Sequence, residues 1–161
     1  MCFVGEEKAR RRVYCLNNIS KGTQEKSKTL LKGDVVVNHF SFDQTGKNIF
    51  ISTRFGNVSQ LHNVKQPGGA RNQITYFDEP IGSVSRQPKG HLITFTMDSG
   101  GSENDQIYIL NPLDGTSRMI SDGKSRNGGP LWDRSGQRIA FQSNKRNGKS
   151  NDVWVMSTDG S

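Results

Sequence analysis

Three segments of the chain run through polar and apolar positions in the same way: TGKNIFIS at 45–52, KGHLITFT at 89–96 and SGQRIAFQ at 135–142. Each opens with a polar turn and a glycine and passes into a run rich in β-branched and aromatic residues. The glycines, Gly46, Gly90 and Gly136, stand 44 and 46 residues apart. A second set, SQLHNV, DQIYIL and NDVWVM, keeps the spacing, with His62, Tyr108 and Trp154 at one position, 46 apart. A third follows in Gly68-Gly69, Asp114-Gly115 and Asp159-Gly160, and a fourth in NQIT and SRMIS, where Ile74 and Ile120 are again 46 apart. Alternation of this kind predicts half-buried antiparallel strands, and the Asp-Gly and Gly-Gly pairs predict tight turns that need positive φ. No window shows a helical period.

Four short strands in about 45 residues is the pattern of a propeller blade, whose sheet buries its faces only against neighbouring blades. The expected fold class is therefore all-β: a partial β-propeller of about three four-stranded antiparallel blades, an open arc whose last blade is incomplete. A β-sandwich is the alternative, and the regular self-similarity argues against it. The blades are placed at about 34–75, 76–121 and 122–161, the last stopping after DVWVMSTDGS where a fourth strand is due. An open arc with uncovered faces predicts poor solubility or self-association. Residues 1–33 match no blade, although RRVYCLN reads as one strand. Gly128-Gly129-Pro130 reads as a breaker, so residues 121–130 are expected to be a passage, with the third blade starting at Leu131-Trp132.

Composition adjusts this picture in few places. Only 31% of the 161 residues are hydrophobic while 18 are glycine, which suits many turns and thin sheets. The net charge of +7 is spread along the chain. The basic stretch NKRNGKSND at 144–152 has no interleaved aromatics for base stacking and contains Asn147-Gly148, so it reads as a solvated hairpin and no nucleic-acid partner is expected. No apolar run is long enough for a membrane span, and MCFVGEEKARRRVYC lacks the apolar stretch of a secretion signal. The expected location is cytoplasmic, or periplasmic or secreted if the N-terminus given is incomplete. Cys2 and Cys15 have no metal-ligand spacing; two free thiols is the plainer reading and a disulfide the other.

The strings PGGARNQITYFDEP, SGGSENDQIYIL and SDGKSRNGGPLWDRSGQRIAFQSNKRNGKSNDVWVM resemble the N-terminal propeller of the prolyl oligopeptidase family of serine peptidases. Its wider group of similar blades includes the periplasmic TolB. The resemblance covers about residues 40–161; RFGNVSQLH, FDEP and DGKSRNGGP are its more specific parts. TGK at 45–47 and PKG at 88–90 stand where that family usually has Pro-Asp-Gly, and the second blade has Ser85 or Arg86 where the others have Phe42 and Trp132. What the resemblance implies is a non-catalytic propeller that gates the access of peptides to an α/β-hydrolase domain. That domain would be the partner and would carry the catalytic Ser, Asp and His; none of it is visible in this sequence. The alternative is a stand-alone TolB-like propeller acting as a protein-interaction scaffold.

The chain's own chemistry is sparse. Gly-Lys-Ser at 123–125 lacks the earlier glycine of a phosphate-binding loop, since Arg118 stands there, and no helix pattern follows. Gly100-Gly101-Ser102-Glu103-Asn104 is the nearest string to a nucleophile elbow, but it ends in Asn104 and leads into a strand. His62 takes the place of Tyr108 and Trp154 and reads as a packing residue; His91 follows a turn glycine and reads as exposed. Asp78 and Glu79 are adjacent and would diverge on a strand. No catalytic, metal or cofactor residue and no cofactor is assigned. Glu103 and Arg126 are the candidate contacts with a peptide or with the hydrolase domain.

Overall fold

The computed structural model describes residues 37–43, 45–66 and 68–161, and before them the backbone of three strands. These are β1 (Cys2–Glu7), β2 (Arg10–Cys15) and β3 (Lys28–Thr29), paired in the order β1-β2-β3 with Cys2 opposite Cys15. The strand read in RRVYCLN corresponds to β2. A four-stranded sheet follows, made of β4 (Val37–Phe42), β5 (Ile49–Arg54), β6 (Ser59–Val64) and β7 (Arg71–Gln73). The next contains β8 (Ile81–Arg86), β9 (Ile93–Met97), β10 (Gln106–Leu110) and β11 (Ser117–Met119). The third has β12 (Asn127–Trp132), β13 (Arg138–Ser143) and β14 (Asp152–Ser157). Each sheet is an antiparallel meander in chain order.

The sheets bury their apolar residues against one another, as the two-residue alternation requires. Phe50 and Leu61 of the first sheet pack on Ile81, Val84, Ile93, Phe95 and Leu110 of the second. The other face of the second sheet gives Ile107 and Ile109 to Ile139, Phe141 and Met156 of the third, with Trp132 and Trp154 at the margin. The Trp132 indole also donates to the Ser85 carbonyl at 3.2 Å, so the position that lacks an aromatic in the second sheet is where a neighbouring tryptophan docks.

The polar turns ahead of the apolar runs have a shared construction. Asp43 accepts from the Lys47 and Asn48 amides and from the Thr45 hydroxyl; Asp133 accepts from the Gly136, Gln137 and Arg138 amides and from the Ser135 hydroxyl. The Ser135 hydroxyl first, then Arg138 and the two following amides, hold the Asp133 carboxyl far below its ordinary 3.8. A carboxyl depressed on folding contributes stability that is present above its unfolded value and is lost as pH falls toward the folded one. The melting temperature is therefore expected to be flat above about pH 5 and to fall below about pH 4. Asp133→Asn should melt lower at neutral pH and depend less on acid; thermal melts from pH 3 to 7 check both.

The sequence reading placed the first strand of the third blade too late, at Leu131-Trp132. Gly128-Gly129-Pro130 lies inside β12, which begins at Asn127, and the ladder to β13 shifts register between Gly128 and Leu131. A bulge removes residues from the ladder, so the missing proline N–H costs nothing there, and Gly129 supplies the φ of +57° that the bulge needs.

Candidate functional site

The first strand of each sheet carries a register shift: between Val37 and His39 in β4, Ile81 and Val84 in β8, and Gly128 and Leu131 in β12. These strands also converge, β8 touching both β4 and β12. Between them opens a hollow of about 700 Å³, lined by Asn38, His39, Ser83, Pro130, Leu131 and Gln142 among others. The bulges turn first-strand side chains such as Asn38, Ser83 and Pro130 out of the ladder and toward the hollow. Asn38 is held by the Ser59 hydroxyl at 2.8 Å. Gly82 allows the strand its closest approach: a Cβ there would stand 2.5 Å from the Thr96 hydroxyl, which accepts from the Ser83 amide. Burial holds the His39 ring below its ordinary 6.5 and so favours the neutral form. The wall is mixed polar and apolar, with no strong charge.

The connections β5–β6, β7–β8, β9–β10, β11–β12 and β13–β14 all leave the antiparallel sheets at one end, and polar bonds lace them into a rim. The buried Gln60 amide donates to the Phe77 and Glu79 carbonyls and accepts from the Phe77 amide. Gln106 donates to the Asn104 and Ser125 carbonyls and accepts from the Ser121 hydroxyl and the Gly123 amide. Glu79 accepts from the Gly100 amide at 3.0 Å, and Asn144 from the Arg126 amide at 2.8 Å. Sequence reasoning missed this lacing. Its signal was there: Gln60 and Gln106 lie 46 apart, as do Thr75 and Ser121, whose hydroxyls accept from the Leu61 and Ile107 amides.

Glu103 and Arg126 both stand exposed on this rim, on the β9–β10 and β11–β12 connections. No hydrogen bond or ion pair joins them among the described residues. Glu103 has φ +58°, the left-handed region that costs an L residue about 1 kcal/mol. Its amide donates to Asp98 at 3.0 Å, while its carboxylate meets no partner among the described residues. Nearby, Asp105 is pushed up by partial burial and by the charge of Asp98. Lys124, Lys145 and Lys149 stand on the neighbouring connections with Arg126, so the rim passes from acidic over the second sheet to basic over the third. Asp78 and Glu79 lie on a connection rather than a strand, His91 is exposed, and His62 is buried at 2% exposure. Ser102 sits in a turn, its hydroxyl donating to the Asp98 carboxylate. Among the described residues no three of His, Cys, Asp and Glu gather to hold a metal, and no helix is long and apolar enough to cross a membrane.

The arrangement of sheets is that of propellers of known structure. A TolB from Agrobacterium tumefaciens is 20% identical, with a TM-score of 0.74 over 93% of this chain and 52% of that one. TolB from Acinetobacter baumannii is 17% identical, with a TM-score of 0.75 over 99% and 38%. Puromycin hydrolase is 15% identical, with a TM-score of 0.78 over 98% and 25%. No protein-family model matches the chain, and no curated protein matches it in sequence. At these identities the likeness defines the fold: the chain is part of a β-propeller built of TolB-like blades, the kind also carried by the propeller part of prolyl oligopeptidase-family peptidases. It spans between a quarter and about half of the length of these structures.

Proposed function

We propose that the chain is the non-catalytic propeller portion of a prolyl-oligopeptidase-type serine peptidase, where it admits peptides to an α/β-hydrolase domain elsewhere in the same protein. The observation that carries this reading is the hollow walled by the bulged first strands. Its mixed, weakly charged lining suits an extended peptide of varied sequence and gives no purchase to a folded protein. The likeness to puromycin hydrolase over 98% of this chain supports the class of enzyme. Glu103 and Arg126 stand at the rim, where a peptide terminus or the hydrolase domain would meet them. A carboxylate kept in a strained conformation without a structural partner points to such a contact.

The test uses the full protein encoded by the gene. A fluorophosphonate probe is expected to label that protein and leave the present chain unlabelled; an unlabelled full protein overturns the proposal. Glu103→Gly should relieve the backbone and raise stability by roughly 0.5–1 kcal/mol. Glu103→Gln should raise KM for peptides with little effect on kcat, and unchanged peptide kinetics would remove Glu103 from the role. The second reading, an interaction scaffold, is favoured by the 52% of the Agrobacterium TolB that the chain covers. It expects a full protein that fluorophosphonate does not label but that retains a specific protein partner.

A further inference from the structure

Where the chain passes from one sheet to the next, an aromatic ring is present at one passage and missing at the other. Between the first two sheets Phe77 packs on Phe95 with ring centroids 5.5 Å apart, and Phe95 lies flat against Tyr108 at 5.3 Å. The corresponding positions 46 residues later are Gly123, Phe141 and Trp154. The correspondence is structural as well as numerical. The Phe77 amide donates to the Gln60 side-chain oxygen at 3.1 Å, and the Gly123 amide to that of Gln106 at 2.9 Å. Gly123 thus keeps the place of Phe77 in the lacing without supplying its ring.

Beside Phe141 and Trp154 a hollow of about 260 Å³ opens, lined by Ile120, Asp122, Phe141, Lys145, Trp154 and Met156 among others. Its floor is apolar. Trp154 is half-buried, and its Nε1 is buried, so the indole offers the hollow carbon surface and no donor. A space of this size suits a single ring, since sites for larger ligands are bigger.

The mouth carries one charge of each sign, and both side chains are exposed. Lys145 reaches in from the β13–β14 connection, its ammonium 5.6 Å from the Trp154 ring centroid and within cation–π range. Asp122 comes from the β11–β12 connection and is fixed by its own turn. It accepts from the Lys124 and Ser125 amides at 3.0 and 2.9 Å and from the Ser125 hydroxyl at 2.7 Å. A carboxylate has about four lone-pair sites, so one more donor can be taken. No ion pair joins Asp122 to Lys145 among the described residues, which leaves both charges open to a ligand.

We propose that this hollow binds a free aromatic amino acid. The ring lies against Phe141 and Trp154, where Phe77 supplies a ring at the other passage. The carboxylate meets the Lys145 ammonium, and the ammonium donates to Asp122. The ligand carries no net charge, as a mouth of one cation and one anion requires. An internal residue of a peptide has neither charged group and is excluded.

The test is titration of the full chain with L-phenylalanine, followed by calorimetry and by nuclear Overhauser effects from the ligand ring to the Ile120 and Met156 methyl groups. Saturable binding with those contacts is expected. 3-Phenylpropionate lacks the ammonium and phenethylamine the carboxylate, so each should bind about tenfold more weakly. L-alanine lacks the ring and should bind at least about tenfold more weakly. Lys145→Gln changes an exposed side chain and leaves the fold intact. It should weaken phenylalanine about tenfold and leave phenethylamine unchanged. The proposal is overturned by any of four results: no saturable binding of phenylalanine up to about 10 mM, a weaker limit than any specific site would show; alanine binding as tightly as phenylalanine; Lys145→Gln acting equally on phenylalanine and phenethylamine; or N-acetylphenylalaninamide binding as tightly as phenylalanine, which would assign the hollow to a peptide side chain.

Discussion

Gln106→Ala is expected to destabilise the chain by about 2–4 kcal/mol, because it leaves several buried groups unpaired at once. The side chain is 6% exposed and its amide is fully used. The nitrogen donates to Asn104 and Ser125 carbonyls at 2.9 and 2.7 Å, and the oxygen accepts from Ser121 and Gly123 at 2.6 and 2.9 Å. These partners belong to the β9–β10 and β11–β12 connections, so one amide fixes the crossover from the second sheet to the third. Removing it strips a donor from two carbonyls and an acceptor from an amide and a hydroxyl. Gln106→Glu separates this explanation from simple loss of volume. The carboxylate fills the same space and still accepts, but it faces two carbonyls that need a donor, so it should be nearly as damaging as alanine. Urea denaturation of both variants decides it. A loss below about 0.5 kcal/mol for alanine would mean that water replaces the amide without cost.

The apolar half of this architecture was legible in the sequence and the polar half was not. Ile51, Phe95 and Phe141 lie where alternation after Gly46, Gly90 and Gly136 put them, and each is buried. Burial of a strand face is a local requirement, so it leaves a local pattern. The bulges in β4, β8 and β12 are different. They follow from how three strands converge around one hollow, and the only local trace, Gly128-Gly129-Pro130, reads as readily for a break as for a bulge. Gln60 and Gln106 were written in the repeat at the same interval as the apolar residues, but a glutamine at the start of a strand is ordinarily a solvated residue. Its role shows only when the crossover it binds, some twenty residues later, is folded against it. In the third unit Asp152 takes that position and pairs with Arg146 at 2.6 Å instead. Glu103 could be singled out by its loop, yet its left-handed backbone and its unengaged carboxylate are properties of the folded turn.

Val153→Lys combined with Val155→Lys is expected to convert a chain that self-associates at micromolar to millimolar concentration into one that sediments as a monomer. The molecule supplies its own comparison. Ile107 and Ile109 of β10 are 0% and 5% exposed, covered by the third sheet; 46 residues later, Val153 and Val155 of β14 are 78% and 59% exposed. Leu131 lies exposed on the same sheet. Covering a valine is worth roughly 1.5–3 kcal/mol, so two valines and a leucine from each copy approach, without greatly exceeding, the cost of bringing two molecules together. Association should therefore be weak and concentration-dependent. Beside β14, moreover, no further strand pairs among the described residues, which leaves a backbone edge that a second copy can join. Lysines work against both contacts, since they desolvate poorly within a face and are a common guard of sheet edges. The exposed positions should accept them with little change in melting temperature, whereas Ile109→Lys, the same chemistry at a covered position, should unfold the chain. Sedimentation velocity across a concentration series reads the outcome. A wild-type chain that stays monomeric up to about a millimolar would show that the uncovered face is too small to drive assembly. Association that persists in the double variant would place the contact on the backbone edge of β14 rather than on its side chains.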